Sequence, residues 1–245
     1  MAPKLTRRAI GAFSRRLGRP ELVSAFDAAA RRDEHDQLAT RAVLAATLGP
    51  GAFFVDVGSN RGQVLAEAVR LTPQGRQLAF EPIPALAAEL RAAFPLSQVT
   101  QKALGAKSGK ARFCHFRRLD GWSGLRRNPA ISDEEGAPEY IEVEVSTLDE
   151  ELAGELPHVI KIDVEGAELA VLEGARGTLE HARPLLIFEH VEETSALYGE
   201  APGALWDLLH DAGYRITSAT GLGPFERESF LAAPGVVNWL ARPER

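Results

Sequence analysis

The stretch FFVDVGSNRGQ, residues 53–63, decides how this chain folds. Bulky apolar and β-branched side chains run into a turn punctuated by Gly58 and Gly62, and a helical pattern, LAEAVRL at 65–71, follows. A buried strand, a tight glycine turn and a helix open a βα unit, whose parallel strands need crossover connections. Glycine lets the backbone turn sharply there and approach a ligand closely, while the amides at the start of the next helix face the same space. Asp56 adds a carboxylate at the strand end. The spacing Gly-x-x-x-Gly differs from the Gly-x-Gly-x-x-Gly of dinucleotide turns, and a carboxylate beside the turn repels phosphate but welcomes an amine or a sulfonium. Simple closure of a strand-to-helix turn accounts for the glycines as well.

The pattern continues on both sides. Downstream come a second strand, RQLAFEP at 76–82, a helix, ALAAELRAAF at 85–94, and a third strand, SQVTQKALG at 97–105. Two β-rich pieces, ARFCHF at 111–116 and IEVEVSTL at 141–148, flank an irregular stretch at about 117–138. Then follow the strand HVIKIDV at 158–164, one helix over AELAVLEGARGTLEHA at 167–182, and the strand RPLLIFEH at 183–190. The helix ALWDLLHDAG at 204–213, the strand YRITSAT at 214–220 and a terminal strand and turn, ESFLAAPGVVNWL at 228–240, complete the order. Upstream, residues 21–48 read as one or two helices leading into the first strand. Strands alternating with helices, without internal repeat or low-complexity linker, predict an α/β doubly wound sheet. The expected division is an N-terminal helical extension, 1–48, and one domain, 49–245.

Composition narrows the partners. A chain of 245 residues, 45% hydrophobic and 25% charged, is long enough for one α/β domain with a sizeable core. With 28 Lys and Arg against 34 Asp and Glu the net charge is -6, which argues against broad binding to nucleic acid or to an anionic membrane. The single cysteine, Cys114, excludes an internal disulfide and a cysteine-only zinc cluster and reads as a core residue. The basic start, MAPKLTRRAIGAFSRRLG, is followed by no apolar run of signal-peptide length, and no stretch of about 20 apolar residues occurs. The expectation is a cytoplasmic protein without stable membrane insertion, its N-terminal helices able to support a homodimer.

A doubly wound sheet places its ligand outside the carboxyl ends of the strands, near the switch in strand order. Asp56 and Gly58 lie at such an end, and Glu81 ends the next strand. A carboxylate there accepts hydrogen bonds from both hydroxyls of a ribose. A ribose joined to a cationic end describes S-adenosylmethionine. Two other classes use the same features: a nicotinamide-dependent oxidoreductase, for which the pyrophosphate turn is missing, and a non-catalytic cofactor-binding domain.

VIKIDVEGAELAVLEGA, residues 159–175, together with FVDVGSNRGQ, AFEP and LLIFEH, resembles the FkbM family of S-adenosylmethionine-dependent methyltransferases over about residues 40–240. The resemblance implies a class I methyltransferase fold: a Rossmann-like, seven-stranded, mostly parallel sheet with helices on both faces and an antiparallel last strand. It implies methyl transfer, most often to a hydroxyl oxygen of a sugar, polyketide or other small metabolite. On the family pattern Asp56, Gly58 and Asn60 lie along the methionine part of the cofactor, with Ser59 and Gly62 in the same turn. Glu81, followed by Pro82, holds the ribose; Ala103 and Ser123 lie near the adenine; Asp163 borders the cofactor. The family often has paired serines where this chain has WSGL, so Gly124 is a departure.

The later motifs carry candidate chemistry. Asp163 ends a buried-looking strand, and Glu165 and Glu168 open the next helix. The helix dipole stabilises acids there by ~0.3–1 kcal/mol, so capping also accounts for Glu165 and Glu168. Glu189 and His190 end the following strand and are expected on the side from which an acceptor enters. A hydroxyl acceptor must lose its proton, which makes Asp163 and His190 candidate bases with Glu165 beside them. Asp163, Glu165, Glu189 and His190 would also suit a divalent metal that orients a diol, but the expectation is no metal. The segment FRRLDGWSGLRRNPAISDEEGAPEY, at 116–140, reads as a lid whose Arg117, Arg118, Arg126 and Arg127 recognise an acidic acceptor, or as a solvated loop.

Overall fold

The computed structural model describes residues 37–129, 131, 137–233 and 235–244. The basic N-terminal segment and most of the helical reading at 21–48 lie outside the described residues. Residues 37–47 are helical (α1) and lead to β1, Phe53–Val57. There follow α2 (Gln63–Leu71), β2 (Arg76–Phe80), α3 (Pro84–Ala93), β3 (Gln98–Thr100), β4 (Ala103–Leu104), β5 (Gly109–His115) and β6 (Glu139–Ser146). Next come α4 (Leu148–Leu152), β7 (Val159–Ile162), α5 (Glu168–Glu173), α6 (Arg176–His181) and β8 (Leu185–Glu189). The chain closes with α7 (Glu192–Ser195), α8 (Ala204–Asp211), β9 (Tyr214–Ser218), α9 (Arg227–Leu231) and β10 (Asn238–Pro243).

Seven strands form one sheet in the order β3-β2-β1-β7-β8-β10-β9. β1 pairs in parallel with both β2 and β7, whereas β10 runs antiparallel to both β8 and β9. The chain winds outward from β1 to β3 and then returns to the other side of β1 as β7. The switch point therefore lies between the ends of β1 and β7. This is the α/β, doubly wound sheet with an antiparallel last strand expected from the sequence.

Side-chain alternation divides the core between two faces. Val55, Val57, Leu78, Phe80, Ile160, Ile162, Leu186 and Phe188 point to one face and pack under α5, α6 and α8. Phe54, Val159, Leu185, Ile187 and Leu240 point to the other, covered by Val43, Leu44 and Leu48 of the α1 region and Ala68 of α2. The described part of the expected extension is thus built into the domain body. Among the described residues no helix is long and apolar enough to cross a membrane.

Differences from the sequence reading include the opening of the terminal strand and turn at 228–240, which is helical as α9 (Arg227–Leu231). The segment at 97–105 is not one strand: β3 edges the main sheet, while β4 turns away to pair in parallel with β6 in a second sheet of order β4-β6-β5. The helix read over 167–182 is broken. A Cβ on Gly174 would stand 2.2 Å from the carbonyl oxygen of Gly105, so glycine lets β4's loop pass there. Asp149 then starts α6 afresh, accepting from the amides of Gly177 and Thr178 at 2.8 Å each.

Candidate functional site

A cleft of about 320 Å³ opens at the switch point. Asp56, Gly58, Ser59, Asn60, Glu81 and Pro82 line it from β1 and β2, Ala103 and Ser123 from the second sheet and its loop, and Asp163 and Glu165 from the end of β7. Those sequence-derived site residues are brought together. Gly62 and His190 are not among the lining residues.

The turn after β1 is set by contact with β7. Gly58 has φ 81°, and a Cβ there would lie 1.8 Å from the carbonyl oxygen of Asp163, so only glycine lets the two strand ends approach this closely. The amides of Gly58 and Ser59 both donate to the carbonyl of Phe80, at 3.0 Å each, fastening the turn to β2. Gly62, at φ 74°, starts α2 and is packed against Leu90 and Phe94, which makes it a turn-and-packing residue.

Two carboxylates define this side. Glu81 is 4% exposed; the Asn60 amide donates to its Oε2 and the Ile83 amide to its Oε1, each at 2.8 Å. Burial pushes its pKa up to about 7 against those two hydrogen bonds, and the charges of Asp56 and Asp120 add to the rise. Asp56 is fully buried, and neither of its carboxylate oxygens has a hydrogen-bond partner among the described residues. Burial raises its pKa while the Lys161 ammonium opposes the rise.

The other side is more crowded. Lys161, 7% exposed, donates to Asp163 Oδ2 at 2.7 Å. Glu165 adopts a left-handed backbone, φ 58°, uncommon for a residue with a side chain, and its carboxyl has no hydrogen-bond partner among the described residues. Burial and then the charges of Asp163, Glu189 and Glu168 hold its pKa well above the ordinary carboxylate range. Behind it, Glu168 accepts from the amides of Val164 and Gly166 at 3.1 Å each, has no partner for Oε2 among the described residues, and is pushed by burial to about 7.

His190 departs from the expected role. Strand alternation sends Glu189 to the cleft and His190 to the opposite face, where its ring stacks on Phe230 at 5.4 Å. Its Nδ1 lies 3.2 Å from Ser195 Oγ and its Nε2 3.3 Å from Glu192 Oε1. His190 therefore does not meet Asp163 and Glu165, and among the described residues no group of three or more His, Cys, Asp or Glu is placed to hold a metal ion.

The lid segment contributes differently from the expectation. Asp120, Gly121, Ser123 and Leu125 line the cleft, whereas Arg117, Arg118, Arg126 and Arg127 do not. Ser123 accepts from the Phe116 amide at 3.0 Å, and Asp120 pairs with Arg61 across the cleft mouth. Sequence reasoning missed Asp120, Lys161 and the wall supplied by Gln37, Thr40, Arg41 and Leu44 of α1. A lysine inside an apolar strand was a readable signal for Lys161; Asp120 and the α1 wall had none.

The model of the methyltransferase FkbM domain matches residues 56–216. Methyltransferase sdnD of Sordaria araneosa is 31% identical over 204 residues, covering 70% of this chain and 77% of its own length. Methyltransferase 1 of Beauveria bassiana (strain ARSEF 2860) is 30% identical over 145 residues, covering 50% of this chain and 58% of its own. Among solved structures, methyltransferase FkbM from Methylobacillus flagellatus KT aligns with TM-score 0.49 at 19% identity, over 80% of this chain and 44% of that one. The domain match takes in Gly58, Glu81, Asp163 and Glu189, the residues at the ends of β1, β2, β7 and β8, and on it the chain belongs to the FkbM family of S-adenosylmethionine-dependent methyltransferases.

Proposed function

We propose that this methyltransferase holds S-adenosylmethionine in the cleft at the β1–β7 switch and methylates a hydroxyl oxygen of a small acceptor, with Glu165 as the base. The observation that carries the reading is Asp56: a fully buried carboxylate with neither oxygen partnered among the described residues, beside a turn that only glycine fits. Leaving such a group unpaired is costly, and a cationic ligand end removes the cost. Glu81 supports the same ligand, because each of its oxygens holds one backbone amide and keeps a lone pair for a ribose hydroxyl.

The cofactor supplies an electrophilic methyl on sulfur, which calls for an in-line nucleophile and exclusion of water. The chain's own contribution is position and proton management. Glu165 lines the cleft with a carboxyl whose proton affinity is raised by burial and by neighbouring acids, which strengthens it as an acceptor for the proton of a hydroxyl. Asp163, tied to Lys161, serves to orient the acceptor. The cleft walls carry six carboxylates, Asp56, Glu81, Asp120, Asp163, Glu165 and Glu189, against four cations, Arg41, Arg61, Lys102 and Lys161. That balance favours a small neutral or cationic acceptor over nucleic acid.

Calorimetry with S-adenosylmethionine, its demethylated product and nicotinamide dinucleotides tests the cofactor, and a panel of hydroxyl compounds with methyl-labelled cofactor tests the reaction. Binding of the first two ligands and label on oxygen are expected. Dinucleotide binding in their place, or label on nitrogen alone, overturns the reading.

A further inference from the structure

The strand VIKI of β7 is buried at all four positions, yet its third residue is a lysine. Alternation places Val159, Lys161 and Asp163 on the face that α1 covers, with Ile160 and Ile162 on the other. Lys161 thus continues an apolar column as an ammonium, an arrangement tolerated only when the charge is matched. In the parallel register its Cα is level with Asp56 on β1 and with Ile187 on β8, so Asp56 and Glu189, two residues beyond Ile187, share its face. Lys161 lines the cleft, and its ammonium donates to Asp163 at 2.7 Å.

We infer that Lys161 is a positioning residue for the cofactor: its ammonium, level with Asp56 on the same face of the sheet, favours the charged form of that carboxylate, which receives the cationic end of the ligand. This rests on the methyltransferase reading above and assigns a role within that site. The charged groups around Asp56 are Glu81 from β2, Lys161 and Asp163 from β7 and Glu189 from β8, with Arg41 of α1 on the cleft wall. Burial is the strongest influence and raises the proton affinity of Asp56; Lys161 and then the nearby Ser59 hydroxyl lower it, and Asp163 raises it. Burial works against the ammonium itself, but Asp163, Asp56 and Glu189 together push its pKa above the ordinary value, so it stays charged.

The sign follows from the raised pKa of Asp56. Ligand affinity that needs the ionised carboxylate is present above that pKa and is lost as pH falls through it; removing Lys161 moves the loss to higher pH. The experiment is the affinity for S-adenosylhomocysteine by calorimetry between pH 6 and 9 in the parent, Lys161→Met, Lys161→Arg and Asp56→Asn. Lys161→Met is expected to bind about tenfold or more weakly at pH 7 and to recover toward the parent as pH rises, its profile displaced to higher pH. Lys161→Arg retains the charge and should restore most of the parent profile, and in an Asp56→Asn background the methionine substitution should lose most of its effect. A Lys161→Met profile parallel to the parent's, or an equal loss with Asp56 already removed, overturns the role. If Lys161→Met does not fold, Lys161→Gln is titrated in its place. If neither folds, Asp56→Asn decides: the acid limb of the parent profile must vanish, and its persistence overturns the inference. A parent that binds no S-adenosylhomocysteine sinks the proposed function instead, which keeps the two failures distinct.

Discussion

The two sides of the cleft use the same residue types to different ends. On the β1–β2 side Glu81 is gripped by two backbone amides and the turn is fastened to Phe80 by two more. On the β7–β8 side Glu165 hangs from a left-handed backbone among other carboxylates, with no hydrogen-bond partner among the described residues. Glu81 is held before a ligand arrives, while Asp56 beside it has neither oxygen partnered among the described residues; Glu165 is held by no such bond and burial raises its proton affinity, a state suited to exchanging a proton with a polar acceptor. Binding and chemistry should therefore be separable by mutation.

The sharpest separation is expected from Glu165→Gln. Turnover should fall about 10²–10⁴-fold, as for loss of a general base, while cofactor affinity stays within about twofold. If affinity falls together with turnover, the two sides do not act separately. Gly58→Ala attacks the seam between them. With its Cβ 1.8 Å from the Asp163 carbonyl and φ at 81°, the variant should lose about 3 kcal/mol or more in denaturant unfolding, and an unchanged midpoint would show a looser seam.

Glu81→Gln belongs wholly to the binding side and should weaken cofactor affinity by about 10–100-fold, with turnover at saturation little changed. It also carries a pH signature in the ligand-free protein. Burial pushes the carboxyl from its ordinary value of 4.5 up to about 7, so between those values the folded state holds a proton that the unfolded state has released. Stability then falls as pH rises through that window, by about 3 kcal/mol from this group and similarly from Glu168, and is flat above it. Thermal melts from pH 5 to 8 should show the decline, and Glu81→Gln should remove its share. The smallest effect is expected from Arg117→Ala, which breaks an exposed ion pair with Glu139 away from the cleft: stability within about 0.5 kcal/mol and acceptor KM unchanged. A raised KM would return the lid arginines to the site.

What could be read from residues alone was local. FFVDVG and RQLAF are apolar runs that end in a glycine turn and a carboxylate, so strand, turn and site residues fall out together. The break between α5 and α6 depends on Gly105 and Asp149, remote in sequence, and no helical pattern in 167–182 reveals it. The same holds for 97–105, where a short strand leaves the main sheet because β6 offers a partner 40 or so residues away. His190 was legible but misread: with Glu189 in the cleft, period two already sends the next side chain to the other face. Asp120 reaches the cleft through a loop whose path only tertiary packing determines.

The helix at 37–47 has a consequence for anyone recombining this domain with others. A module cut just before β1 would look complete by strand count, yet it would strip Val43, Leu44 and Leu48 from Phe54, Val159 and Ile187 and leave that apolar face bare to water. Each such side chain contributes about 1.5–3 kcal/mol when buried, a sum comparable to the net stability of a small domain. The same cut would take away Thr40 and Arg41 and with them one wall of the cleft. A portable unit of this enzyme therefore includes residues 37–47, and the recombination joint belongs before them.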